Sequence, residues 1–216
     1  MMKNAGLSLT LAALASTVLL AQMQHDPDKM QGGGSLPPGW SARLDNGSTK
    51  PDGVKISPVA GGLHFQSGPA GIYYKPADKA SGAYTVSASF TQLEPSAHPE
   101  AYGLFIGGAD LAGADQKYTY FLVRQDGKVL VKRRAGATTP TVMNWTENAA
   151  VKKAAAGGKM TNALSIDVGK DRVRFLVNGT EVGSAAPDQI DTNGIAGVRV
   201  NHNLNVQVEN FTVKTR

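Results

Sequence analysis

The sequence contains no cysteine. Thiol nucleophiles, thiolate metal sites and disulfides are excluded, and stability must come from packing alone. Glutamate is scarce as well. Glu94, Glu100, Glu147, Glu181 and Glu209 are the only five, and none has another acidic residue two positions away. Glycoside hydrolysis needs two carboxylates roughly 5 to 10 Å apart, and an i, i+2 pair on one strand face is the local way to supply them. That pattern, E-x-D-x-E included, is absent, which weighs against an enzyme. Convergence of carboxylates from separate strands stays open. Nucleophile-elbow, phosphate-loop and dinucleotide motifs are missing too; "GGADLAGAD", Gly107 to Asp115, has neither the spacing nor a following helix.

Long apolar runs are confined to the N-terminus. In "MMKNAGLSLTLAALASTVLLAQ", Lys3 precedes an apolar or small stretch from Ala5 to Leu20. It is short for a membrane span and reads as a secretory signal peptide over 1–21, with a retained anchor as the alternative. The chain is then expected to be secreted or periplasmic, with no stable membrane span after processing. Residues 22–39, "QMQHDPDKMQGGGSLPPG", read as a flexible leader, and 40–216 as one domain. Basic residues exceed acidic ones by five, about four once Lys3 is removed. So mild an excess suits acidic glycans or envelope anions, or simply keeps the chain in solution. A nucleic-acid site would need a denser basic stripe, so none is expected.

What fills the rest is alternation. "GLHFQS", "GIYYKP", "YTVSASF", "YGLFIGG", "YTYFLVR", "KVLVKRR", "NALSIDV", "RVRFLVN", "GIAGVRVN" and "NVQVENFTVK" recur between Gly, Asn, Asp and Pro. Strands at about ten-residue spacing predict an all-β, two-sheet antiparallel jelly-roll sandwich. Asn178-Gly179 marks a tight hairpin that aims Val173, Phe175 and Val177 at the core. Only "NAAVKKAAA", Asn148 to Ala156, looks helical.

The stretch "KYTYFLVRQDGKVLVKRRAG" gives a sharper reading. A three-residue Gln125-Asp126-Gly127 loop pairs Val123 with Val129 and Phe121 with Val131. It leaves Tyr118, Tyr120, Leu122, Arg124, Lys128, Leu130, Lys132 and Arg134 on the other face. A one-residue slip would mix charges into both faces, so this register is expected. Tyr118 and Tyr120 can stack on sugar rings, while Arg124, Lys132 and Arg134 donate to hydroxyls or carboxylates. The alternative is that the tyrosines and leucines are covered and the basic heads reach past them to water. In "RVNHNLNV", Arg199 and Asn201 share a face and His202-Asn203 turns, placing Arg199, Asn201 and His202 at one end of a cleft. Trp145, in the loop-like "TPTVMNWTE", is either a stacking platform or tucked over the sandwich edge. Asp110 and Asp115 can offer oxygen to Ca²⁺, or line a plain loop. "HPE", His98 to Glu100, is a metal signal lacking a third ligand.

Together "HPEAYGLFIGGADLAGADQKYTYFLVRQDGKVLVKRRAG", "NWTE", "VRFLVNGTEV" and "DTNGIAGVRVNHNLNVQVENFTV" resemble exported bacterial proteins of the concanavalin-A-like, laminin-G-like jelly-roll superfamily. The nearest are 3-keto-disaccharide hydrolase-like, or family-16-glycosidase-like, domains. The resemblance spans Trp40 to Arg216 and implies two antiparallel sheets, a concave carbohydrate-binding face and often a rim Ca²⁺. It carries over no catalytic residue. The expected function is a non-catalytic module for a glycan or acidic envelope polymer. One alternative is a hydrolase-like enzyme on a modified (3-keto) sugar, using Glu100 or His98 as acid or base beside Tyr102. The other is a structural or interaction protein of the periplasm without a small ligand.

Overall fold

The computed structural model describes residues 32–153 and 158–216. Its fourteen strands form two seven-stranded sheets with every pairing antiparallel. In chain order they are β1 (Ser41–Leu44), β2 (Val54–Val59), β3 (Gly62–Ser67), β4 (Gly71–Ala80), β5 (Tyr84–Gln92), β6 (Ala101–Ala109) and β7 (Lys117–Arg124). Then come β8 (Lys128–Ala135), β9 (Thr141–Glu147), β10 (Met160–Val168), β11 (Val173–Val177), β12 (Thr180–Ala185), β13 (Gly194–Val200) and β14 (Asn205–Thr215). One sheet runs β1-β4-β13-β6-β7-β8-β9 and the other β12-β11-β10-β5-β14-β3-β2. This is the expected jelly-roll sandwich. Among the described residues no helix is long and apolar enough to cross a membrane. The signal-peptide stretch and most of the leader lie outside the described residues.

All ten alternating runs are strands. The strands outside those runs are β1, β2, β9 and β12. Ser41–Leu44 is only four residues long, β2 carries Pro58 on a sheet edge where its missing N–H costs little, and β9 is a largely exposed edge. From Gly34 on, the chain lies against the domain. Leu36 and Trp40 pack on the core, and a Cβ at Gly34 would stand 2.1 Å from the Ile56 nitrogen.

The main core lies between the sheets and includes Phe65, Tyr73, Phe90, Tyr102, Leu104, Phe121 and Phe175. Val173, Phe175 and Val177 are in it, as the Asn178-Gly179 hairpin requires. Asn178 (φ 51°) and Gly179 (φ 81°) have the left-handed geometry of that tight turn.

Among the described residues the helix expected from Asn148 does not form. Its described part, Asn148 to Lys153, is a turn, and Ala154 to Gly157 lie outside the described residues. Buried Asn162 is the reason: its Oδ1 accepts from the Lys152 N–H at 2.9 Å and its Nδ2 donates to the Lys152 carbonyl at 3.2 Å. Those backbone groups are diverted from a helical ladder, and Val151 is drawn into the core.

Candidate functional site

The β7–β8 hairpin adopts the three-residue loop. Val123 faces Val129 and Phe121 faces Val131, while Gly127 sits at φ 88° with its N–H on the Arg124 carbonyl at 2.9 Å. The expected face follows, and the pairings extend it over the whole first sheet. One row reads Arg43, Ile72, Arg199, Gly103, Leu122, Leu130, and the next Ser41, Tyr74, Gly197, Phe105, Tyr120, Lys132. Beyond them lie Tyr118 opposite Arg134, and Arg124 opposite Ala101. Seven strands at about 4.8 Å make this outer face roughly 29 Å wide.

The middle of the face is a second apolar cluster, not a wet surface. Ile72, Tyr74, Phe105, Tyr118, Tyr120, Leu122 and Leu130 are all buried. Tyr118 and Tyr120 are 1 % and 6 % exposed, with ring centroids 5.6 Å apart and Tyr118 5.3 Å from Phe105. The expectation that these two rings offer open stacking planes is corrected here: their faces are taken by neighbouring rings and by Arg199. Arg199 pairs with Gly103 in the β13–β6 register and reaches the tyrosines of β7 beyond it. Its guanidinium lies 5.1 Å from the Tyr120 ring, 3.3 Å from the Tyr118 hydroxyl, and forks onto Asp45 at 3.0 and 2.6 Å.

Burial alone would raise the Asp45 carboxyl, but the Arg199 hydrogen bonds and charge, helped by Arg134 and Arg43, hold it below its ordinary value. Burial pushes the Tyr118 and Tyr120 phenols up, with Arg199 opposing.

Three guanidinium groups on this face, Arg43, Arg134 and Arg199, each carry a buried Nε without an acceptor. Arg199 is itself 8 % exposed. Among the described residues neither Arg43, Arg134 nor Lys132 has a carboxylate partner. Arg124 differs: it forks onto Asp126 and lies 4.5 Å over Trp145, the face's exposed aromatic at 36 %. Trp145 is on edge strand β9, not a loop.

The end of the face near Arg124 gathers two motifs far apart in sequence. The Asn201 N–H donates to the Ala101 carbonyl at 3.0 Å, which pins the end of β13 to the start of β6. His98 Nδ1 is then 3.1 Å, and His202 Nε2 2.9 Å, from the same oxygen, Glu100 Oε1. Asn203 at φ 56° makes the expected turn. Tyr102 does not join them: it points between the sheets, 5.2 Å from Phe90, with its hydroxyl accepting from Asn162 and its phenol pushed up to about 12 by burial.

Asp110 and Asp115 are exposed in the β6–β7 loop, and neither belongs to the three-ligand group found among the described residues. A cavity of about 260 Å³ behind the same end is lined by Gln66, Glu94 and Asn205. Its polar groups already serve each other, Asn205 donating to Glu94 at 2.8 Å and contacting His64 at 2.6 Å.

The sequence missed Arg43 and Asp45. No local signal marks them, since Asp45 meets Arg199 across 154 positions.

This fold defines a class of jelly-roll proteins. No protein-family profile matches the chain, and no curated protein matches it. Among solved structures it is similar to a carbohydrate-binding module, CBM66, from Bacillus subtilis, at 12 % identity and a TM-score of 0.62, covering 86 % of this chain and 99 % of that one. It is also similar to a Bacillus subtilis protein of unknown function with a galectin-like fold, at 13 % identity and TM-score 0.57, covering 82 % and 89 %. An alginate lyase, A1-II', shares the fold at 12 % identity and TM-score 0.54, covering 82 % and 94 %.

Proposed function

We propose that the chain is an exported, non-catalytic carbohydrate-binding module that takes an acidic glycan on the outer face of its first sheet. The observation that carries this is the set of basic groups on that face, Arg43, Lys132 and Arg134, that have no carboxylate partner among the described residues. A carboxylate-bearing sugar supplies acceptors to just such groups, and charge-assisted bonds are the strong ones. Trp145 offers the exposed ring against which a sugar face can pack. Tyr118 and Tyr120 act from beneath, holding Arg199 in place. The similarity to a protein named as a carbohydrate-binding module and to one named an alginate lyase supports the class of ligand. Export rests on the N-terminal sequence. The burial of Tyr102 away from Glu100 removes one of the groups that the sugar-hydrolase alternative required.

The test is calorimetric titration with an oligouronate and with its carboxyl-reduced counterpart. Binding of the acidic form, weakened about tenfold or more in Arg134→Ala/Lys132→Ala, is expected, because each charge-assisted hydrogen bond contributes about 1.5–3 kcal/mol. Equal binding of both sugars would remove the acidic specificity. Unchanged affinity in the double variant would move the ligand off this face.

A further inference from the structure

The His98–Glu100–His202 group does not depend on the glycan reading, and its geometry suits one ion. A zinc-class ion held by imidazole nitrogen and carboxylate oxygen at about 2.0–2.2 Å puts neighbouring donor atoms roughly 3 to 3.5 Å apart. Glu100 Oε1 lies 3.1 Å from His98 Nδ1 and 2.9 Å from His202 Nε2, and all three donor atoms fall within 4.8 Å of one another. Two imidazole nitrogens and one carboxylate form a borderline donor set, which selects first-row transition ions over the all-oxygen coordination of Ca²⁺.

The donors are held before any ion arrives. Ser96 Oγ donates to the His98 carbonyl at 2.7 Å. Ser96 in turn is clamped by Gln125, which accepts its N–H at 2.9 Å and donates to its carbonyl at 3.0 Å. Gln92, on β5, braces Gln125 at 2.8 Å. On the other side Asn201, pinned to Ala101, has its Nδ2 3.4 Å from Glu100 Oε2. That contact turns Oε1 toward the two rings, the outer-shell orientation that metal-binding carboxylates need. Asn201 Oδ1 is buried and has no donor. His98 and His202 are 52 % and 40 % exposed on their side chains while Glu100 is 12 % exposed, which leaves the ion's outward side open.

We propose that His98, Glu100 and His202 bind one zinc-class divalent ion with an open coordination position facing the end of the glycan-facing sheet. The metal-free reading of the same distances is two imidazoles donating to one carboxylate oxygen, and experiment separates the two.

The full chain without an affinity tag would be titrated with Zn²⁺, and separately with Co²⁺ while the visible d–d absorption is recorded. Expected are one saturable site per chain, a thermal midpoint raised by Zn²⁺ and reversed by chelator, and a cobalt band of low-coordinate intensity. His98→Ala and His202→Ala should each abolish the cobalt band. His98 is largely exposed, so His98→Ala should keep the circular-dichroism spectrum and the metal-free midpoint of the parent. Asn201→Ala should weaken Zn²⁺ binding about 10–100-fold, the usual outer-shell effect. Absence of saturable Zn²⁺ binding would overturn the proposal. So would an undiminished cobalt band in a His98→Ala/His202→Ala double variant, which would assign the ion to His64 or His25.

Discussion

Arg199 holds more of the site together than any other side chain. It contacts Asp45, Tyr118 and Tyr120 at once, from a position only 8 % exposed. Arg199→Met should cost about 2 kcal/mol in urea denaturation. Breaking a fully buried pair costs about 3–5 kcal/mol, and the Asp45 side chain, 39 % exposed, recovers part of its hydration. The Asp45 pairing also carries a pH sign. Its folded value lies below its ordinary one, so its contribution is complete above about pH 3.9 and disappears as pH falls through the folded value. Acid titration of Arg199→Met should show a shallower loss of stability in that window than the parent; parallel curves would remove Asp45 from the account. Tyr120→Ala, by contrast, is a poor probe of binding. It empties part of the second apolar cluster, and a lost aromatic core residue costs about 3–5 kcal/mol.

At the scale of elements, the hairpin shows what alternation can and cannot tell. Val123, Phe121 and Asp126-Gly127 fixed its register in advance because a slip of one residue exchanges faces. The same alternation was silent on whether Tyr118, Tyr120, Leu122 and Leu130 are open or covered. The two tyrosines are met by Arg199, which distant pairings bring in on β13. The histidine site was half legible for the same reason. "HPE" and "NHN" each look incomplete, and only the β6–β13 contact joins them.

Two element-level substitutions test this packing. Gly197→Ala would put a Cβ 2.5 Å from both the Phe105 ring and the Tyr73 carbonyl, so about 1–3 kcal/mol of overpacking cost is expected from denaturation. Asn162→Ala leaves the Lys152 N–H and carbonyl without partners and should cost about 1–3 kcal/mol. A neutral result there would mean that water replaces the amide.

For the whole molecule, the sequence's two tryptophans make a convenient reporter. Trp145 stands at the edge of the first sheet beneath Arg124, whereas Trp40 packs near Phe211, 6.5 Å away between centroids, with Lys75 over it. In a Trp40→Phe variant, an acidic oligosaccharide should change the remaining emission, and the apparent affinity should fall as ionic strength rises, because exposed charges are screened within about 10 Å at 0.1 M. An emission that never responds would detach Trp145 from the ligand.

The first sheet has apolar side chains on both faces, the inner set around Phe121 and Tyr102 and the outer set around Phe105 and Tyr118. Its central strands β13, β6 and β7 therefore carry packed side chains on both sides, although among the described residues no third sheet lies over them. Amide protons on those strands are paired on both sides in the interior of the sheet, while β9 and β2 are sheet edges that border solvent. In deuterated water the backbone of β6 and β7 should retain its protons until the whole domain unfolds, and β9 should lose them first by local fraying. The strands beneath the proposed sugar contacts would then be the slowest clock in the protein.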